Sequence, residues 1–150
     1  MEVNKNMSVP KSKRGNSVLR ILTRVDELAV YTIQICSNEN NFPKRYRWCI
    51  TSKIVEDTVD IVRLVKMANS ITINTDEELF KMRTAYQNKA YALTNSLLGM
   101  IDIAYRIFDI DSKRISYWTG IIVDVQKLLK NWQKANKQQF NKKLDCNILI

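Results

Sequence analysis

The chain has 150 residues and a mass of 17.5 kDa, the size of one ordinary domain. Hydrophobic residues make up 45% of it and charged residues 26%, and three glycines and two prolines are too few for the turns of an all-β fold. The absence of histidine excludes Ser-His-Asp and Cys-His nucleophile systems and histidine-ligated metal sites.

The chain is strongly basic, with 24 Lys and Arg against 15 Asp and Glu and a formal net charge of +9. This balance favours polyanionic partners, nucleic acid first and an anionic membrane surface second. The charge is unevenly distributed along the chain. The net charge is +3 for residues 1–16, +3 for residues 44–72 and +4 for residues 108–150. It is −1 for residues 17–43 and 0 for residues 73–107. Such concentration is typical of a surface that binds a phosphate backbone.

The compartment is indicated by the cysteines and by hydropathy. Cys36, Cys49 and Cys146 are odd in number and far apart, which predicts neither a disulfide framework nor a zinc site and suits a reducing cytoplasm. The N-terminal segment lacks the apolar core of a signal peptide, and no apolar run approaches the roughly 20 residues of a membrane span. We therefore expect a cytoplasmic protein that does not span a membrane.

The helical period of apolar residues predicts an all-α fold. Residues 1–16 are predicted as a flexible basic tail, residues 17–137 as a four-helix bundle and residues 138–150 as a polar tail. Within the bundle, helices are expected at about 18–38, 43–70, 75–108 and 112–137, the third capped by Thr75 with Glu78 in a capping box. Short connections between long helices favour an antiparallel up-down-up-down arrangement.

The apolar stripes predict which helix faces are buried. The second helix has a wide apolar face, which indicates either the most enclosed helix or one that also meets a second subunit. In the third helix the expected stripe is Leu79, Met82, Arg83, Tyr86, Ala90, Leu93, Leu97, Met100, Ile101, Ala104 and Phe108. In the fourth it is Ile115, Trp118, Ile121, Ile122, Val125, Leu128, Leu129 and Trp132.

Two basic groups are candidate nucleic-acid sites. The first is a stripe on the fourth helix, opposite its core face: Lys127, Lys130, Lys134 and Lys137. A solvated lysine face that serves only solubility has the same pattern. The second is the segment Lys44-Arg45-Tyr46-Arg47-Trp48, where cations suit phosphates and aromatics suit unpaired bases of RNA or single-stranded DNA. Its aromatics are equally suited to covering the end of the bundle.

Catalytic candidates are few. Glu56 and Asp60 stand at i, i+4 beside Asp57, but no second acidic pair completes a metal site within a bundle. We therefore interpret the three carboxylates as solvated surface groups and expect no catalysis, cofactor or metal.

The order of features resembles one family of small four-helix bundles. The segments involved are Phe42-Pro43-Lys44 opening a helix with Ile50, Ile54 and Ile61, and the final helix reading Ile122-Val123-Asp124-Val125-Gln126-Lys127-Leu128-Leu129-Lys130-Asn131-Trp132. The family includes proteins encoded in 23S rRNA intervening sequences and the accessory variability determinant (Avd) of diversity-generating retroelements. Trp132 is more like the Avd branch. The chain has Ala68-Asn69-Ser70-Ile71 where intervening-sequence proteins usually have an Asn-Ile-Ala-Glu-Gly-like turn.

This resemblance implies a ring-like homopentamer with a basic surface and no catalysis of its own. Such a protein binds the retroelement's reverse transcriptase and its template RNA and supports mutagenic cDNA synthesis. The resemblance transfers no site residues, so the basic positions rest on spacing alone. A scaffold bundle of the intervening-sequence type, without a nucleic-acid role, is the alternative.

Overall fold

A computed structural model describes the backbone of residues 11–148 and the side chains of residues 18–148. The described residues form four long α-helices and no strand, as the apolar period predicts for a four-helix bundle. A 3₁₀ turn and a π-helical turn precede the second helix. The bounds are α1 Lys11–Ser37, the 3₁₀ turn Lys44–Tyr46, the π-helical turn Arg47–Thr51, α2 Ser52–Ser70, α3 Glu77–Ile107 and α4 Ser112–Ile148. None of the described helices is long and apolar enough to cross a membrane.

The first helix begins earlier than predicted. Residues 11–16, assigned to the basic tail, are the first turns of α1, while residues 1–10 of that tail lie outside the described residues. The composition is compatible with this because Gly15 is the only strong helix breaker in the segment, at a cost of about 1 kcal/mol. The first helix therefore begins six residues before the predicted start of the bundle at residue 17.

The last helix ends later than predicted. Residues 138–148, assigned to a polar tail, continue α4. Phe140 is buried and its ring stacks on Phe80, with centroids 4.2 Å apart and planes inclined by 2°. Lys143 Nζ also donates to the carbonyl of Ile73 at 2.6 Å. These tertiary contacts hold a segment whose polar composition alone predicts no packing.

The start of α3 is capped by Asp76 rather than by Thr75. The Asp76 carboxylate accepts from the backbone N–H of Glu78 at 3.0 Å and of Leu79 at 3.2 Å. The cap is therefore one residue later than the predicted capping box. Asp76, Glu77 and Glu78 still place negative charge at the positive end of the helix dipole, as the sequence indicates.

The buried face of α3 agrees in part with the predicted stripe. Among the predicted residues, Leu79 and Met82 are exposed and three are half-buried, whereas six are buried: Arg83, Ala90, Leu97, Ile101, Ala104 and Phe108. The buried face also includes two polar residues outside the predicted stripe, Gln87 and Thr94. Thr94 Oγ1 accepts a hydrogen bond from Gln126 Nε2 at 2.9 Å. A stripe chosen for apolar residues therefore includes Leu79 and Met82 and omits Gln87 and Thr94.

The predicted stripe of α4 belongs to the core of the bundle and is mostly confirmed. Trp118, Ile121, Ile122, Val125, Leu129 and Trp132 are at most 1% exposed, whereas Ile115 and Leu128 are half-buried at its edge. Side-chain bonds tie this helix to its neighbours: Trp118 to Thr32 and Asp124 to Arg24 on α1, and Gln126 to Thr94 and Gln133 to Asn88 on α3. These bonds hold α4 against α1 and α3, and its outer face is left to solvent.

Candidate nucleic-acid interface

The four predicted lysines of α4 lie together on its outer face. Lys127, Lys130, Lys134 and Lys137 are all exposed, opposite the buried Val125 and Trp132. Ten residues separate the first from the last, so the stripe is about 15 Å long at 1.5 Å per residue. Duplex nucleic acid carries one charge per about 1.7 Å of its axis, so a stripe of this length faces several phosphates.

The charges of the lysine stripe are not neutralised by acids. None of the four lysines forms a salt bridge with any described residue. Lys130 Nζ instead lies 4.2 Å from the centroid of the Tyr91 ring on α3, a cation–π contact that leaves its charge in place. The stripe therefore presents positive charge to solvent.

A groove of about 590 Å³ between α1 and α4 adjoins the stripe at Lys127. Its walls include Arg20, which the sequence analysis did not select, and Arg24. Arg24 is occupied, because it donates to Glu27 at 2.6 Å and to Asp124 at 2.7 Å, and these carboxylates raise its pKa. Arg20 forms no salt bridge with a described residue and extends the basic surface onto α1. Arg20 lies in the segment 17–43, whose net charge is −1, so the net charge of the segment does not indicate a basic surface there.

The two aromatic residues of the entry segment, residues 44–48 before α2, have different surroundings. Tyr46 is half-buried and its ring lies 5.0 Å from that of Phe108, so it covers the end of the bundle. Trp48 is 84% exposed. Lys44, Arg45 and Arg47 are also exposed, the guanidinium of Arg45 lying 5.0 Å from the Tyr46 ring centroid. An exposed indole among three cations retains the features expected of a single-strand contact.

The structure does not bring the two basic groups together. The entry segment packs at the end of the bundle where Phe42 meets Trp118, their ring centroids 6.0 Å apart. Along α4, Lys127 lies about 13 Å beyond Trp118 and Lys137 about 28 Å beyond it. The two groups are therefore separate surfaces.

The predicted carboxylate set lies on the surface of α2. Glu56 is 3.7 Å from Lys53, Asp60 is 3.6 Å from Arg63, and Asp57 accepts from Ser96 at 2.9 Å. Over the part of the chain that the structure describes, no three His, Cys, Asp or Glu residues lie close enough to hold a metal ion. These carboxylates are engaged in helix-surface pairs.

The three cysteines are free thiols in two environments. Cys49 and Cys146 are exposed, while Cys36 is buried. Burial raises the pKa of the Cys36 thiol from 9.0 to about 12, so this thiol stays protonated at neutral pH and is a poor nucleophile.

Comparison with models of known protein families, with curated proteins and with solved structures found no match to this chain.

Proposed function

We propose that this protein is a non-enzymatic accessory protein of a diversity-generating retroelement. It binds the retroelement's reverse transcriptase and its template RNA, or single-stranded DNA, through a basic surface and supports mutagenic cDNA synthesis. The observation that carries the nucleic-acid role is the exposed lysine stripe of α4, which forms no salt bridge with a described residue. The retroelement role rests on the resemblance to the Avd family.

The proposal includes an up-down-up-down bundle. It is supported by the bonds that link Arg24 to Asp124 and Thr32 to Trp118, because the residue number falls along α4 as it rises along α1. The bonds from Gln126 to Thr94 and from Gln133 to Asn88 show the same reversal between α4 and α3.

The proposal also includes a ring-like homo-oligomer, a pentamer by the resemblance. Exposed apolar side chains support self-association: Val30 at 56% and Ile33 at 47% on α1, and Ile103 at 46% and Ile107 at 54% on α3. Covering such residues is the ordinary driving force of oligomers. The cytoplasmic location rests on the three free cysteines, which suit a reducing compartment.

The decisive experiment is a titration of structured RNA at several salt concentrations, with light scattering on the same samples. The test variant carries Lys127→Gln, Lys130→Gln, Lys134→Gln and Lys137→Gln. The control carries Lys53→Gln, Arg63→Gln, Lys81→Gln and Arg106→Gln, which remove as much charge from exposed, acid-paired positions on α2 and α3. Because the two variants have the same net charge, a difference between them reports position.

We expect the test variant to lose most of its affinity and most of its salt dependence. Four phosphate contacts contribute about 3 to the slope of log K against log salt for a single strand. The control variant keeps the slope of the natural protein. Equal losses in the two variants would show that only net charge matters and would remove the stripe from the proposal. Oligomerisation without RNA binding at low salt would leave the scaffold alternative.

The contribution of the entry segment is tested separately with Trp48→Ala and single-stranded RNA. Stacking on one base is worth about 1–3 kcal/mol by alanine substitution, so affinity should fall several-fold or more. Tyr105→Ala, which removes an exposed aromatic from α3, is the control. An unchanged affinity in Trp48→Ala would restrict the interface to α4.

The retroelement role requires a reverse transcriptase. Added to the reverse transcriptase and template RNA of its own retroelement, the protein should raise cDNA yield. The stripe variant should fail to do so while the charge-matched control succeeds. An unchanged yield on addition of the natural protein would overturn the accessory role, whatever the RNA titration shows.

A further inference from the structure

A polar layer interrupts the core between α3 and α4, away from the lysine stripe. It consists of Arg83, Gln87, Trp132 and Asn136, which are 7%, 1%, 1% and 4% exposed. Arg83 Nη2 donates to Asn136 Oδ1 at 3.3 Å, and the guanidinium lies 5.0 Å from the centroid of the Trp132 ring. Arg83, Asn136 and Trp132 therefore form one connected group, and Gln87 is buried one turn along α3 from Arg83.

Every member of the polar layer has a nitrogen without a partner among the described residues. The unpartnered atoms are Arg83 Nε, Gln87 Nε2, Trp132 Nε1 and Asn136 Nδ2. Arginine and tryptophan nitrogens can only donate, and the bond from Arg83 fixes the Asn136 amide with its oxygen toward the guanidinium. The layer thus has an excess of donors, and an unsatisfied buried donor costs about 1–3 kcal/mol.

The charge of Arg83 is only partly compensated. Its Nη1 donates to the carbonyl of Ile71, beside the end of α2, where the helix dipole is negative. No carboxylate among the described residues forms a salt bridge with it. Burial lowers its pKa, which shows that the surroundings disfavour an unpaired cation. The complement of such a site is a negative group that only accepts hydrogen bonds.

A small cavity on the α1 side of α4 adjoins the layer at Trp132 and Asn136. The cavity has a volume of about 220 Å³, and its lining includes Val18, Trp132, Asn136 and Lys142. Two of the four residues with unpartnered donors therefore face it. Lys142 is exposed and adds a cation at the mouth. Drug-sized ligands occupy roughly 300–1,000 Å³, so this cavity suits a smaller group.

We propose that Trp132, Asn136 and Lys142 bind a small oxyanion, a carboxylate or phosphate group, in this cavity, with the guanidinium of Arg83 directly behind Trp132 and Asn136 as the buried positive charge. An oxyanion supplies several acceptor oxygens and one negative charge, which are what the layer lacks. A neutral ligand satisfies the donors and leaves the cation unpaired. The site is independent of the lysine stripe and of the proposed nucleic-acid role.

The test measures thermal unfolding of the full chain with sodium phosphate, acetate or chloride at matched ionic strength. We expect the melting temperature to rise with phosphate or acetate beyond the rise seen with chloride, and to saturate, because a ligand that binds only the folded state stabilises it. Saturation with phosphate alone assigns a phosphate group, with acetate alone a carboxylate, and with both either group. No rise beyond that of chloride overturns the proposal.

Two variants place the site. Trp132→Phe removes an unpartnered donor that faces the cavity, and Lys142→Gln removes the cation at its mouth. In each we expect the apparent dissociation constant to increase at least ten-fold. Lys142 is exposed, so Lys142→Gln remains as the test if Trp132→Phe fails to fold. Unchanged affinity in a folded variant overturns the proposal.

The stripe variant with glutamine at 127, 130, 134 and 137 separates this site from the surface. It should bind the oxyanion as the natural protein does while losing RNA. Loss of oxyanion binding in the stripe variant would show surface binding only and overturn the buried site. The proposed function and the oxyanion site can therefore fail independently.

Discussion

The two buried tryptophans of α4 have contrasting surroundings. Trp118 is fully buried, its Nε1 donates to Thr32 Oγ1 at 2.9 Å, and its ring lies near those of Tyr31 and Phe42. Trp132 is as deeply buried, but its Nε1 has no partner in the part of the chain that the structure describes, and its neighbour is the guanidinium of Arg83. The indole N–H of Trp118 is thus satisfied within the bundle, whereas that of Trp132 has no acceptor among the described residues. We therefore expect the surroundings of Trp118 to contribute more to stability, and we propose the surroundings of Trp132 as the binding site.

Removing the Trp118 ring should have the largest effect on stability. Trp118→Ala leaves a cavity among aromatic side chains and should lower the free energy of unfolding by about 3–5 kcal/mol, measured by urea denaturation. Trp118→Phe keeps most of the ring and serves as the control, with a smaller loss. A loss below about 1 kcal/mol in Trp118→Ala would show that the surroundings of Trp118 are not closely packed.

Alkaline pH should weaken the same end of the bundle through Cys36, one turn beyond Thr32 on α1. Burial raises the pKa of this thiol to about 12 from 9.0. Because the folded pKa is above the unfolded one, its contribution is fully present below pH 9 and is lost as the pH rises toward 12. The loss is about 1.4 kcal/mol per pH unit in that window.

The measurement is urea unfolding at a series of pH values from 8 to 11 with two variants. Cys36→Ala, which has no thiol to ionise, should lose less stability with rising pH than the natural protein, even though it starts lower. Cys49→Ala, which alters an exposed thiol, should follow the natural protein. Parallel pH profiles for all three would contradict the assigned role of Cys36.

Thr32→Val should leave the indole N–H of Trp118 without an acceptor, as that of Trp132 already is among the described residues. The substitution keeps the shape of the side chain but removes the acceptor of Trp118 Nε1, at an expected cost of about 1–3 kcal/mol in urea unfolding. Adding Trp118→Phe removes the orphaned donor, so the double variant should lose less than the sum of the two single losses. Strict additivity would mean that the hydrogen bond contributes nothing.

Trp132→Phe should have the smallest effect on stability. The donor that it removes has no partner, so the free energy of unfolding without added oxyanion should change by no more than about 1 kcal/mol. Equal losses of unfolding free energy in Trp132→Phe and Trp118→Phe would show that the hydrogen bond of the Trp118 indole adds no stability.

Much of the fold and part of the site could be predicted from the sequence. The four helices, the core face of α4 and the shared face of its four lysines follow from spacing along single helices, and the structure confirms them. The polar layer could not be found in this way. Gln87 and Asn136 resemble surface residues by type, and Arg83 was placed on the buried stripe only by its spacing. Their burial depends on which residues of α3 and α4 meet across the interface.

Helical period and charge are local properties, so the helical fold, the basic character and the concentration of charge in particular segments can be predicted from the sequence. The extension of α4 to Ile148, the exposure of Trp48 rather than Tyr46, and the burial of the polar layer between α3 and α4 depend instead on how the helices pack. A residue's burial and its hydrogen-bond partners are set by contacts with residues distant in sequence, and these form only when the helices pack.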